Sequence, residues 1–233
     1  MGSVNNGAFA WDVTPPSGRT ASSFNAPQRG LLVLHGPDGG EERISLPKTV
    51  TRILLSKKKS GEIAPSSRAE LLYMVKELTR VCARTRIERL INKREYSTTE
   101  LRKKLGMDGY PQSVIDECLQ YAKQIGLVSD ARYADSFIRS KVNVGWGIGR
   151  IERELKLRGI EANEVRGWPY DYLDPEEEVE RAVTLAKGRS IPQSKPYERL
   201  VRFLCTKGYS TGVAMRAAKR VIQEDNDDFL VDF

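Results

Sequence analysis

Few side chains in this sequence have the types and spacing that catalysis requires. The single histidine, His35, stands beside the turn Gly36-Pro37-Asp38-Gly39-Gly40 with no serine or cysteine motif around it. It therefore lacks the partners that make a histidine a general base. The turn lacks the Gly-Lys-Ser/Thr ending of a phosphate-cradling loop and reads as a plain β-turn. Cys82, Cys118 and Cys205 lie 36 and 87 positions apart. An odd count at wide spacing argues against a disulfide framework and against a zinc site. Cys118 and Cys205 fall at apolar helical positions, where a thiol serves as a small buried hydrophobe. Gly145–Arg150, "GWGIGR", resembles a glycine-rich nucleotide loop but follows a helical pattern rather than a strand. It reads as a helix-to-helix turn with Trp146 packed between units. A lesser alternative sets its free amides and Arg150 against a phosphate of DNA. No catalytic, cofactor-binding or metal-binding residue is expected, and no cofactor.

What remains is charge. The 233 residues carry a net charge of +7, unevenly spread. Residues 81–166 hold 17 Lys/Arg against 12 Asp/Glu, whereas Glu224–Phe233 holds five acids and no base. A basic body with an acidic tail points to an anionic partner such as nucleic acid. The basic residues recur in three stretches: Arg102, Lys103 and Lys104; then Arg150, Arg153, Lys156 and Arg158; then Arg199, Arg202 and Lys207. With Arg94, Arg132 and Arg139 they form the candidate partner- or DNA-binding set. The alternative is that Glu100, Glu152, Glu154 and Glu198 neutralise them along each helix.

The elements that carry these charges repeat. Leu101, Leu105, Gly109, Tyr110 and Ile115 align with Ile151, Leu155, Gly159, Ile160 and Val165 at an offset of 50. They align again with Leu200, Leu204, Gly208, Tyr209 and Ala214 at a further 49. One helix upstream, Ile87, Phe137 and Ala186 keep the same offsets. Two apolar residues four apart make a stripe on one helix face. The glycine four later permits the left-handed conformation that ends a helix. Each copy is read as helix, turn, helix ending at glycine, then a third helix, in tandem units that bury a face against their neighbours. Units of one handedness would set equivalent basic residues along one side of a rod.

Capping boxes at Ser67/Glu70 and Ser97/Glu100 open two of these helices, Pro111 stands at the start of a third, and Asp130 and Asp174 are read as caps. Residues 1–30 lack periodicity and read as mostly disordered. "GLLVLHGPDGGEERISL" suits a small hairpin or strand pair, and "SKKKSGEIAPSS" a linker. The boundaries expected are 1–66 for an N-terminal extension and linker, 67–128 for a leading helix and first repeat, 129–173 and 174–223 for the second and third repeats, and 224–233 for an acidic tail. No apolar run approaches the roughly 18 residues that would span a bilayer, and no secretory signal is read at the N-terminus, so a cytoplasmic protein is expected.

"REYSTTELRKKL", then "VIDECLQYAKQIGLVSDARYADSFIRSK" and "GWGIGRIERELKLRGI", resemble the RecX regulatory family over roughly residues 84–222. Gly126-Leu127, Asp130, Tyr133-Ala134, Phe137, Gly145-Trp146-Gly147 and Arg158-Gly159-Ile160 carry the likeness, with Val128-Ser129 as a small departure. The resemblance implies an all-α fold: three tandem three-helix repeats in a curved, elongated body, here with a poorly ordered or small β-like extension. It implies a non-enzymatic monomer that docks in the groove of a RecA–DNA filament. There it would curb strand exchange, ATP hydrolysis and the coprotease activity of the SOS response, touching single-stranded DNA through the filament or weakly by itself. Two alternatives stay open: a helix-turn-helix transcription regulator and an all-helical protein-binding scaffold. Mixed or acidic third helices, "PQSVIDECLQYAKQ" and "EANEVRGW", count against base reading.

Overall fold

The computed structural model describes residues 10–16, 29–36, 39–189 and 194–231, with side chains described as far as Glu224. The chain divides into two compact units, residues 1–128 and 129–233.

The first unit opens with an antiparallel sheet in the order β1 (Ala10–Thr14), β2 (Arg29–His35), β3 (Glu41–Pro47). Alternation places Trp11, Val13, Leu32, Leu34 and Leu46 inward. The register sets Trp11 opposite Leu34 and Leu32 opposite Ile44. Against this face lies α1 (Lys48–Lys59), with Val50 and Leu54 buried in the same cluster. Gly30 lets α1 come close, since a Cβ there would stand 2.4 Å from the Thr51 side chain. Then come α2 (Arg68–Ile91), α3 (Thr98–Met107) and α4 (Gln112–Gln124), whose apolar faces continue one core from Trp11 to Val128.

Three local readings change here. Strand β1 lies inside the segment expected to be disordered, because a five-residue strand shows its role only through a partner strand whose paired residues, from Thr14 with Leu31 to Ala10 with His35, lie far along the chain. Ser56–Lys59, read as linker, closes α1, where Lys57, Lys58 and Lys59 oppose the negative end of the helix dipole. At Ser67 only half of the expected box forms. The Ser67 hydroxyl accepts from the Glu70 amide, but the Glu70 carboxylate accepts from the Ser66 amide and hydroxyl, both at 2.7 Å. The box at Ser97 and Glu100 is complete. Of the expected turn after β2, Pro37 and Asp38 lie outside the described residues, while the Gly36 amide donates to the Gly40 carbonyl at 2.8 Å.

The second unit contains α5 (Asp130–Asn143), α6 (Ile148–Leu157), a single 3-10 turn at Ala162–Glu164, α7 (Glu178–Lys187), α8 (Pro196–Lys207) and α9 (Thr211–Val231). Ser129, rather than Asp130, caps α5, accepting from the Arg132 amide. Helix α7 begins at Glu178, and Asp174 instead accepts from the Glu176 amide one turn earlier. The third element of the second repeat is only the 3-10 turn. Gly167, at φ 76°, and Pro169, without an amide hydrogen, turn the chain out of helical geometry, and Leu173 closes the core in place of a full helix. The acidic stretch after Gln223 continues α9 to Val231 rather than trailing from it.

Candidate functional site

The repeat columns are the frame of the candidate site. Leu101, Leu105, Ile151, Leu155, Leu200 and Leu204 are each at most 1% exposed. Gly109, Gly159 and Gly208 all take positive φ, at 89°, 73° and 98°. Behind each, the next amide reaches back five residues: Tyr110 to Leu105, Ile160 to Leu155 and Tyr209 to Leu204, at 3.0–3.2 Å. These are αL helix ends of one kind, with a buried Tyr110, Ile160 or Tyr209 sealing each. The central helices α3, α6 and α8 thus stop at equivalent points, and their exposed faces are equivalent.

The Gly145–Arg150 turn joins the second repeat to the third. The Gly147 amide donates to the Lys207 carbonyl at 2.8 Å, Tyr209 Oη to the Gly145 carbonyl at 3.2 Å, and Arg181 Nη2 to the Trp146 carbonyl at 2.9 Å. A Cβ on Gly147 would stand 2.6 Å from the Gly208 backbone. Trp146 meets Phe137 edge-on at 6.2 Å. These glycines serve backbone-to-backbone approach between neighbouring units, which is why no side chain fits.

The candidate basic residues differ in what they already hold. Arg102 pairs with Asp116, and that hydrogen bond and charge keep the Asp116 carboxyl below its usual range. Arg94 pairs with Glu100 at 3.0 Å and lies 3.6 Å from the Tyr96 ring, with Lys104 5.8 Å from the same ring. Arg139 pairs with Asp135 at 3.0 Å, and that bond, joined by one from Tyr172, lowers the Asp135 pKa. Arg158 holds Glu154 and Tyr133 Oη, and Lys156 lies 3.8 Å from Glu161. Arg150 stacks 3.9 Å over Trp146 and donates to the Thr206 carbonyl at 3.1 Å. Arg132 is exposed in the first turn of α5. These side chains are part of the fold's own ion pairs and ring contacts.

A different set stands open. Lys103, Arg153 and Arg202 are exposed, and among the described residues no acidic or hydrogen-bonding partner engages them. They occupy one repeat position, at the same offsets of 50 and 49 that relate the buried columns. No other position of the central helices is basic in all three copies. Arg199 is likewise exposed and unpaired, and the fold brings to it Arg189, just beyond α7, and the ring of Phe203. Sequence reading had no signal for those two, since Arg189 lies past the helix end and Phe203 looks like an ordinary apolar helix residue. His35 sits 3.6 Å from Asp12 and 3.8 Å from Glu41 across the strands, a surface contact between polar side chains.

Among the described residues no helix is long and apolar enough to cross a membrane, and no group of three or more His, Cys, Asp or Glu is placed to hold a metal ion.

Comparison with known proteins gives a consistent result. A family model for the RecX first three-helix domain matches residues 83–121, and one for the RecX second three-helix domain matches residues 129–166. The regulatory protein RecX of Pseudomonas entomophila is 33% identical over 136 residues, covering 57% of this chain and 86% of that protein. That of Vibrio vulnificus is 33% identical over 135 residues, covering 55% and 85%. A crystal structure of a regulatory protein RecX superposes with a TM-score of 0.52 at 18% identity, over 88% of this chain and 97% of the other, which is a likeness of fold.

Proposed function

Since the chain belongs to the RecX family, we propose that it is a cytoplasmic, non-enzymatic regulator that binds RecA–DNA filaments and lowers their recombinase, ATPase and coprotease output. The observation that carries this reading is the column Lys103, Arg153 and Arg202: one exposed cation per repeat at one structural position, with no ion pair among the described residues. Surface cations that lack a local carboxylate keep their full field for an external anion. Three weak contacts spaced by a repeat favour a partner that is itself repetitive and anionic, and a nucleoprotein filament is both. Each contact is weak singly, and joined on one chain they give avidity for neighbouring filament subunits over a free subunit. A ligand that ties neighbours together opposes the subunit motions and end-additions that growth and strand exchange need. The third elements favour this reading over a helix-turn-helix regulator, because in the second repeat a 3-10 turn stands where a recognition helix would enter the major groove.

The test is recombinase ATPase on single-stranded DNA with substoichiometric protein. The expected outcome is a fall in steady-state rate well below one regulator per recombinase subunit. An unchanged rate at equimolar protein would overturn the proposal.

A further inference from the structure

The third repeat holds a cleft of about 440 Å³ lined by Arg189, Arg199, Leu200, Arg202, Phe203 and Thr206. Among the described lining residues Arg189, Arg199 and Arg202 bring guanidiniums, and none of the described lining side chains is a carboxylate. Among the described residues none of the three arginines has an ion pair, and the stretch from Arg189 to Lys195 contains no acid. By contrast, Arg80, Arg86, Arg94, Arg102, Arg139, Arg158 and Arg220 are each paired with a carboxylate. Three like charges around one cleft repel each other, so an external anion would lower the free energy of the arrangement.

Two features orient the cleft for its ligand. The Arg189 guanidinium lies 4.6 Å from the Phe203 ring centroid and Lys207 Nζ lies 5.5 Å from it. Stacking on an aromatic face holds a guanidinium plane still while leaving its edge donors free. Arg199 and Arg202 are three apart on α8 and project from neighbouring points of one helix face. That separation suits successive phosphates on an extended strand better than one isolated phosphate, which could engage only part of the set. Arginine forks bind phosphate oxygens in pairs.

We propose that this cleft is a subsite for the phosphate backbone of single-stranded nucleic acid. Arg199 and Arg202 contact adjacent phosphates, and Arg189, set in place by Phe203, closes on one of them. The proposal rests on the nucleoprotein-filament reading and assigns its direct nucleic-acid contact to the third repeat.

The test uses the full chain and a fluorescein-labelled oligothymidylate, read by anisotropy at several salt concentrations. R199Q/R202Q should bind about tenfold more weakly or worse. Its plot of log affinity against log salt should be shallower by roughly 1.4, from two lost phosphate contacts at about 0.7 each. Helicity by circular dichroism should be unchanged, because both side chains are exposed. R102Q, whose arginine is already paired with Asp116, should match the wild type. F203L should weaken binding as R189Q does, and should add nothing in the R189Q background. An unchanged salt slope in R199Q/R202Q overturns the subsite, and a further loss from F203L on top of R189Q overturns the positioning role of the ring. Displacement of the oligonucleotide by a peptide of residues 224–233 at lower concentration than by unlabelled oligonucleotide would assign the cleft to the chain's own acidic end and overturn the proposal. Failure of the two readings is distinguishable. Pocket variants that keep oligonucleotide affinity while the wild type still slows the recombinase refute only the subsite. Pocket variants that lose affinity while the wild type leaves the recombinase untouched refute only the filament function.

Discussion

Gly208 offers the sharpest single-residue test of how the units are joined. Gly208→Ala introduces two costs. A side chain at φ 98° carries a left-handed penalty of about 1–2 kcal/mol. Its Cβ would also lie 2.3 Å from Arg150 Cβ, 2.5 Å from Arg150 N and 2.9 Å from Arg150 Cα. Backbone atoms cannot swing away as a side-chain tip does, so the start of α6 must separate from the end of α8. That separation breaks the bonds from the Gly147 amide to Lys207, from Arg150 to Thr206 and from Tyr209 to Gly145. At about 1 kcal/mol each these sum to about 3 kcal/mol, so the expected loss is about 4–5 kcal/mol. Gly126→Ala is the matched control, because Gly126 has φ 71° and nothing within 4 Å of the added Cβ. It should lose only about 1–2 kcal/mol. In thermal unfolding followed by circular dichroism the two variants should differ by roughly 5–15 °C in Tm. Exchange of the Gly147 amide should quicken in the first variant and not in the second. Equal shifts in Tm would refute the claim that glycine pairs dock one repeat on the next.

Three further outcomes are expected. Leu155→Ala should cost about 2–5 kcal/mol and expose amides of the second repeat, whereas Leu204→Ala should leave the protection of α3 and α4 intact; identical, all-or-none exchange in both proteins would show a single indivisible core. With a disulfide reagent Cys205 should react first, because Cys82 and Cys118 are buried and burial pushes both thiols up; one uniform rate for the three would contradict this. Asp116 and Asp135 are held below the usual carboxylate range chiefly by hydrogen bonds from Arg102 and Arg139, so their contribution to stability is complete above the unfolded value near pH 4 and is lost as pH falls through the lower folded values. Asp116→Asn should therefore lower Tm at neutral pH and have progressively less effect below about pH 4; an equal effect at every pH would rule the ion pair out.

The repeat was legible in the sequence because burial and backbone geometry impose it at fixed spacing. Leu105, Leu155 and Leu204 need the same core position, and Gly109, Gly159 and Gly208 the same left-handed end. Strand β1 was not legible, since its alternation spans five residues and its partner lies across an intervening segment. The third element of the second repeat was misjudged because Glu161–Trp168 has helical composition, while Gly167 and Pro169 decide the backbone. For the site, the sequence supplied the cations but not their pairing. Arg102 and Arg153 look alike in a string of letters, yet Asp116, fourteen residues on, occupies one of them and no described residue occupies the other. Arg189 and Phe203 needed the fold, because only the packing of α7 beside α8 brings them together.

The measurement that tests the central claim most directly is the affinity of the protein for preformed recombinase filaments on single-stranded DNA, taken for Lys103→Glu, Arg153→Glu, Arg202→Glu and the triple reversal. If one cation per repeat meets a repetitive anionic partner, each single change weakens binding by a similar modest factor, the triple change abolishes it, and wild-type affinity falls steeply with salt. A triple variant that binds filaments as the wild type does, with affinity insensitive to salt, would contradict the account.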